Sequence, residues 1–431
     1  MSRVVLVAPE FPPANTAGAH RPRLLARHLP EFGWTPTVLT IKRDAIEGPL
    51  DPTLDALVDP ALDVIRTSAL PVRPIRLIGD IGLRSLWQHA RALTAVAERG
   101  EADAIVLFGP PWFSFALGPL MRRRFGIPYV IDYIDPWISD WTASHPFPTK
   151  GWFYHRAATA IEPVVLRSAA HITAVSPGFL EELRARYPWL DGGRMSSMPY
   201  GADPDDMQAA ARLGIEPPDF SAGDAFNVCF TGAIQPRGQA LLRATLAGVR
   251  ALRDSGSEPG RRVRLRFYGT SNLTWGHDRH AVVDLARTMG LADVVAETPQ
   301  RIPYLQALAV LAAADVVVVM GSSAAQYDAS KLYPALVSGR PILALCHRDS
   351  RMRRVMDETG AGCCVTFETD ADLENRGDEI ARALETLAAR PRRRPDPAAV
   401  EAFGARASGR QLAAILDGIA GQRAQRTRRA S

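Results

Sequence analysis

Lysine is nearly absent from this chain. Lys42, Lys150 and Lys331 are the only lysines among 51 basic side chains, and arginine supplies the rest. Each lysine is therefore conspicuous wherever it falls. Cysteine is scarce as well: Cys229, Cys346, Cys363 and Cys364 show no CxxC spacing. No secretory leader precedes them, because Met-Ser-Arg runs directly into Val4-Val5-Leu6-Val7. This argues against a disulfide framework and predicts buried, reduced thiols in a cytoplasmic protein. Long apolar runs are missing too. The longest, from Ala307 to Val319, is interrupted by Asp315; it reads as a core helix followed by a strand and is too short to span a bilayer. The net charge of +5 over 431 residues is too small to suggest a nucleic-acid partner. No GxGxxG fingerprint, low-complexity block or solenoid-length repeat occurs.

A chain of this length exceeds one ordinary hydrophobic core and suggests two domains. Short Val/Ile-rich strands alternate with helical patterns throughout, the signature of βαβ units around a parallel sheet. The first half contains expected strands at 3–8, 36–40, 62–66, 103–108, 127–132, 171–175 and 195–199. A Pro/Gly-rich break runs from Tyr200 to Gly223. The pattern then restarts, with strands at 226–231, 263–268, 293–297, 315–319, 341–345 and 362–366. The expected fold is α/β, with two Rossmann-like doubly wound domains over 1–205 and 206–390. The remainder, 391–431, is a Pro/Arg-rich connector, a helical stretch at 398–420 and a basic tail. Parallel sheets bind ligands beyond the carboxyl ends of their strands, so the loops there carry the functional question.

Four such loops hold unusual residues. The first, Pro9 to Arg21, is longer than a plain connector and contains two prolines, Gly18, and His20-Arg21 at the start of a helix. Gly18 permits close backbone approach, and the helix N-terminus offers free N–H groups. The second, Asp132-Tyr133-Ile134-Asp135-Pro136-Trp137, places two carboxylates at a strand end. Asp135 there reads either as a turn cap before Pro136 or as a base or hydroxyl-binding group. The third, Thr231-Gly232-Ala233-Ile234-Gln235-Pro236-Arg237, sets a glycine and an arginine before a helix, a weak phosphate signal. The fourth runs from Tyr327 through Ser330-Lys331-Leu332-Tyr333 to Gly339-Arg340-Pro341. It predicts Ser330 and Lys331 in the first turn of a helix, where a lysine opposes the helix dipole unless an anion neutralises it. A solvated lysine is the bland alternative.

Taken in order, the Pro-Pro loop with Gly18, Asp132-x-x-Asp135-Pro-Trp, Ala174-Val175-Ser176-Pro177-Gly178, Pro199-Tyr200-Gly201-Ala202-Asp203 and Ser330-Lys331-Leu332-Tyr333 through Gly339-Arg340-Pro341 resemble bacterial retaining glycosyltransferases of family 4. The resemblance covers nearly the whole chain. It implies the GT-B architecture, two Rossmann-like domains facing across a cleft, with a last helix (407–420) returning to the first domain. It also implies a nucleotide-sugar donor on the second domain and a lipid-linked or saccharide acceptor on the first, with no cofactor and no metal. By carry-over, Arg237 and Lys331 hold the donor diphosphate, with Gly18, Gly232, Ser330 and Leu332 beside it, and Arg301 and Ile302 border the base. Asp135 is the candidate for orienting the acceptor, with His20 as second choice. Two departures stand out. The family carries two glutamates eight positions apart where this chain has Gln326 and Pro334, and Ala233 replaces a second phosphate-binding arginine.

The leading expectation is a retaining transfer onto an acceptor hydroxyl, in polysaccharide or glycoconjugate assembly. The missing glutamates motivate a second, a non-catalytic sugar-nucleotide-binding subunit, and the fold allows a third, a nucleotide-sugar epimerase. Peripheral contact with the inner membrane face is a side expectation. It rests on Arg122-Arg123-Arg124 after Trp112-Phe113-x-Phe115, and on Arg73, Arg76 and Arg84. Its bland alternative is an ordinary helix with a solvated basic end.

Overall fold

The computed structural model describes residues 1–72, 79–220, 223–234, 238–271, 280–389 and 395–430. The chain divides into two compact units, one comprising Met1–Tyr200 with Ala405–Ser431, the other Gly201–Gly404.

In the first unit the order is β1 (Ser2–Val7), α1 (Ala17–His28), β2 (Trp34–Ile41), β3 (Asp63–Thr67), α2 (Ile81–Glu98), β4 (Ala104–Gly109), α3 (Leu117–Phe125), β5 (Tyr129–Tyr133), α4 (Asp140–Ala143), α5 (Lys150–Ser168), β6 (His171–Ala174), α6 (Pro177–Arg186) and β7 (Met195–Ser197). All seven strands lie parallel in the order β3-β2-β1-β4-β5-β6-β7. Burial on both faces explains the apolar runs of the central strands β1 and β4, whereas the edge strands β3 and β7 are only half-buried and carry polar residues. Val5 and Val7 join a core with Leu107, Tyr129 and Leu166 on one side. Val4 and Leu6 join Leu25, Trp34 and Leu412 on the other.

The second unit continues with α7 (Pro204–Arg212), β8 (Phe226–Thr231), α8 (Gln239–Asp254), α9 (Glu258–Arg262), β9 (Val263–Tyr268), α10 (Ala281–Thr288), β10 (Val295–Thr298), α11 (Tyr304–Ala313), β11 (Val316–Met320), α12 (Leu332–Val337), β12 (Ile342–His347), α13 (Arg351–Thr359), β13 (Gly362–Phe367), α14 (Gly377–Ala389) and α15 (Pro397–Ala402). Its six parallel strands are ordered β10-β9-β8-β11-β12-β13, the doubly wound order with a switch point between β8 and β11. In the first sheet the corresponding switch lies between β1 and β4. Every strand expected from the sequence is present, with ends displaced by at most two residues.

The chain leaves the first unit at Tyr200, five residues earlier than the 205/206 division read from the sequence, because α7 packs on α11 and Tyr304 donates its hydroxyl to Asp206 at 3.1 Å. It returns at Ala405, later than the 390/391 reading. The backbone N–H of Asp396 donates to Thr359, and α15 contacts α13, which keeps this stretch with the second unit. The last helix, α16 (Ala405–Ala430), buries Leu412, Ala413, Leu416 and Ile419 against the first unit, and Trp34 donates its indole N–H to Asp417 at 2.9 Å. All four cysteines are free thiols; Cys229 and Cys346 are buried, and Cys363 and Cys364 are half-buried.

Candidate functional site

The loop after β1 is held at both ends. Asn15 donates its backbone N–H to Pro49, Asp51 donates its own to Pro13, each at 2.8 Å, and Ala14 forms an antiparallel bridge with Leu50. Thr16 caps α1 by accepting from Ala19, and its hydroxyl donates to Glu10 at 2.5 Å. The His20 imidazole lies 3.3 Å from the amide oxygen of buried Asn15, whose NH2 donates to Asp51 at 3.4 Å. Gly18 sits where α1 meets the loop after β4. A Cβ there would come within 3.1 Å of both the Glu10 carboxylate and the Pro110 carbonyl. Close protein packing at the switch point therefore favours this glycine, independently of any ligand.

The two carboxylates at the end of β5 differ completely. Asp132 is wholly buried, gripped by the Arg21 guanidinium and by the Thr173 hydroxyl. Arg21, also buried, donates further to the Met198 and Pro199 carbonyls at 2.9 and 2.7 Å. Asp132 is thus committed to an ion pair that fastens α1 to β5, β6 and the end of β7. Asp135 opens to solvent instead, and among the described residues nothing donates to its carboxylate, so it does not cap the turn. Protein crowding behind that open face strips water from the carboxyl and raises its pKa above the ordinary value. Its loop is rigid: Trp137 is fully buried edge-on to Phe113 and Phe115, at 5.3 and 5.8 Å between ring centres. Trp112 donates to the Asp135 carbonyl at 3.0 Å, and Arg186 to that of Ile138 at 3.0 Å.

In the second unit three strand-end loops are knitted together by backbone bonds. Gly232 donates to Tyr268, Ile234 to Thr270, Gly269 to Thr298 and Ser271 to Pro299, at 2.8 to 3.0 Å. Gly232 has φ 141°, and a Cβ on it would lie 3.4 Å from Cε of Lys331. The lysine stem therefore runs along the glycine. Arg301 follows the third loop, its Cα 3.7 Å from where a Cβ on Gly269 would stand. Lys331 retains solvent-accessible surface. Even so, the protein around its ammonium withholds hydration, and the nearby Arg301 charge adds repulsion; together they lower its pKa to about 8.

The structure brings Gly232, Arg301 and Lys331 together at one sheet edge, with Ile302 and Ser330 half-buried in the adjoining loops. Arg237 lies outside the described residues. Ser330 and Lys331 are not in the first turn of a helix: they form the turn before α12, which starts at Leu332 and has only six residues. Crowding and the Arg301 charge, more than a helix dipole, set the lysine's electrostatics. Leu332 is buried and its N–H donates to Ala329, so it anchors the loop. Two partnerships escaped the sequence reading. In the sequence Arg21 stands out only as part of a His-Arg pair, and Asp328, which is buried and accepts from the Tyr333 hydroxyl at 2.5 Å, does not stand out beside the exposed Gln326. The five-residue spacing of Asp328 and Tyr333 was the available signal. Among the described residues, no group of three or more His, Cys, Asp or Glu side chains is arranged to hold a metal ion. None of the described helices is long and apolar enough to cross a membrane.

Two consecutive Rossmann-like units, each with its unusual residues on the carboxyl edge of a parallel sheet, define the GT-B class of architecture. Residues 16–201, most of the first unit, match the model of the glycosyl transferase 4-like domain. No curated protein matches the chain. Solved structures of the same fold include the sucrose-phosphate synthase of Thermosynechococcus elongatus, 19% identical, with a TM-score of 0.60 and both chains fully covered. Others are HepE of Anabaena in complex with UDP and glucose (15% identical, TM-score 0.58, 97% of this chain and 100% of that one) and the UDP-forming α,α-trehalose-phosphate synthase of Burkholderia xenovorans in complex with glucose-6-phosphate (11%, 0.61, 96% and 100%). At these identities the likeness is one of fold.

Proposed function

We propose that the protein is a glycosyltransferase that takes a nucleotide sugar at the carboxyl edge of its second sheet and transfers the sugar to an acceptor hydroxyl. The observation that carries this reading is Lys331 lying along Gly232 with Arg301 beside it. A lysine ammonium whose hydration the protein withholds, with a second cation beside it, is an arrangement that a bound diphosphate relieves. The match of residues 16–201 to a glycosyl transferase 4-like domain supports transfer of a sugar, and structures of this fold that hold UDP make UDP the first nucleotide to test.

In this mechanism Lys331, helped by Arg301 and Arg237, stabilises the diphosphate as the anomeric bond breaks, without a metal. The acceptor hydroxyl then attacks from the face the leaving group vacates and gives its proton to the departing diphosphate, so the anomeric configuration is retained. Asp135 is the acceptor-orienting group, since its carboxylate is open, rigidly mounted and more basic than an ordinary aspartate. His20 is held by Asn15 for a similar role. Saccharide and lipid-linked alcohols are the acceptor classes, and a place in polysaccharide or glycoconjugate assembly follows from them.

The test is calorimetric titration with UDP, GDP, ADP and TDP, with and without magnesium, followed by turnover assays. One nucleotide should bind without magnesium. Lys331→Ala should weaken that binding at least tenfold and lower turnover by about 3 kcal/mol of transition-state stabilisation, roughly a hundredfold. Turnover within a few-fold of wild type would remove Lys331 from the diphosphate. Gln326 and Pro334, standing where the family has glutamates, favour a second reading as a non-catalytic binding subunit. It predicts nucleotide binding with no sugar transfer to any acceptor in extracts of the source cell.

A further inference from the structure

The helices α3 and α5 pack against each other on one side of the first sheet, and their composition is one-sided. Across 117–125 and 150–168 there are six Lys and Arg residues, and the only acid is Glu162, which is buried against the Tyr133 and Tyr187 hydroxyls. The outer stripe of α5 is Phe153, Arg156, Ala160, Val164 and Arg167, all exposed and within one narrow sector of the helix. Phe153 is 55% exposed and Val164 57%, and Phe147 just before the helix is 69% exposed.

These aromatics are built in. Phe147 contacts Trp152 edge-on at 5.1 Å, and Trp152 meets Phe153 at 5.0 Å. The turn that projects Phe147 is fixed by Thr149, whose N–H and hydroxyl both donate to Pro146 while its oxygen caps α5 at Trp152. Gly151 lets the His145 ring lie close: a Cβ would stand 2.0 Å from it, so any other residue would displace the ring. The Arg156 guanidinium sits 5.8 Å from the Trp152 ring and that of Arg167 5.1 Å from the Trp189 ring, Trp189 being 40% exposed. Leu120, Arg123 and Arg124 extend the same surface on α3. The neighbouring acids are Asp140 on α4, Glu98 paired with Arg124, and Glu181 and Glu182 on α6.

We propose that this α3/α5 face, led by Phe147, Trp152 and Phe153, docks the protein on an anionic lipid surface. The argument is chemical complementarity. Apolar rings insert at headgroup level while Lys150, Arg123, Arg156 and Arg167 meet lipid phosphates, and no exposed acid on either helix repels them. Each basic group near such a surface strengthens partitioning by about fivefold at physiological salt. The face differs from the one the sequence suggested. Phe113 and Phe115 are buried in the core, Arg84 is buried against Glu47 and the Leu70 carbonyl, and Arg73 and Arg76 lie outside the described residues. The inference does not depend on sugar transfer.

Flotation of the full chain with phosphatidylcholine vesicles containing about 30% phosphatidylglycerol, against phosphatidylcholine alone, tests it. Wild type should float with the anionic vesicles only, and less at high salt. Phe147→Ser/Phe153→Ser should reduce flotation about tenfold or more, and Lys150→Gln/Arg156→Gln about twentyfold. Arg243→Gln/Arg250→Gln on α8, an equal loss of charge at two exposed sites of the second unit, should leave it unchanged. All these sites are exposed, so circular dichroism and the melting temperature should match wild type. No flotation of wild type, or equal flotation of the aromatic variant, overturns the proposal. So does a dimer in sedimentation velocity that the aromatic variant dissolves, which would assign the face to a second copy of the chain.

Discussion

Lys331 in the unliganded protein holds its proton only below about pH 8, because crowding and Arg301 both disfavour the ammonium. A diphosphate binds the cation, so UDP affinity should be level near pH 7. It should fall as pH rises through 8, approaching tenfold per unit above that. Titrations from pH 6.5 to 9.5 check this, with Lys331→Met expected to bind weakly and without the slope. The stability sign runs the other way. Between 8 and the unfolded value of 10.5 the unfolded chain binds more protons at this site, so unliganded wild type gains stability as pH rises there, and Lys331→Met removes that gain. The rarity of lysine singled out this residue in the sequence. Its contact with Gly232 and its repulsion by Arg301 were invisible, since they join loops after β8, β10 and β11 that lie far apart in the chain.

The Arg21–Asp132 pair acts at the scale of elements. It ties the start of α1 to the end of β5, Thr173 brings in β6, and the Met198 and Pro199 carbonyls bring in the chain leaving β7. Removing one partner leaves a buried charge uncompensated. Asp132→Ala should therefore lower stability by about 3–5 kcal/mol, read as a shift in the urea midpoint. The paired change Arg21→Met/Asp132→Leu should recover part of that loss, though not all, because two buried carbonyls lose their donor. The sequence placed both carboxylates of the β5 loop at a strand end and could not separate them. Three positions of chain put Asp132 inside the sheet and Asp135 beyond it, and only the location of Arg21 decided which would be consumed.

At the scale of the molecule, each unit has its own core, so unfolding should not be a single two-state transition. Scanning calorimetry should resolve two transitions. UDP at a hundred times its dissociation constant should raise the one belonging to 201–404, a stabilisation of about 2.7 kcal/mol, and leave the other in place. A shift of the first unit's transition alone would move the nucleotide site to the other sheet.

The sequence by itself determined the sheets. Central strands buried on both faces are continuous apolar runs, the shorter edge strands stand between turn residues and helical patterns, and so the strands of the described residues could be read from local composition. It also marked the strand-end loops, since Gly18, Asp135, Gly232 and Lys331 are residue types that plain connectors do not need. Tertiary structure decided what each one touches. It gave Gly18 a packing reason, consumed Asp132, left Asp135 open, laid Lys331 on Gly232, and turned Phe147 and Phe153 outward while burying Phe113 and Phe115. Those outcomes depend on contacts between residues distant in sequence, and the periodicity of a single segment carries no information about its neighbours in space.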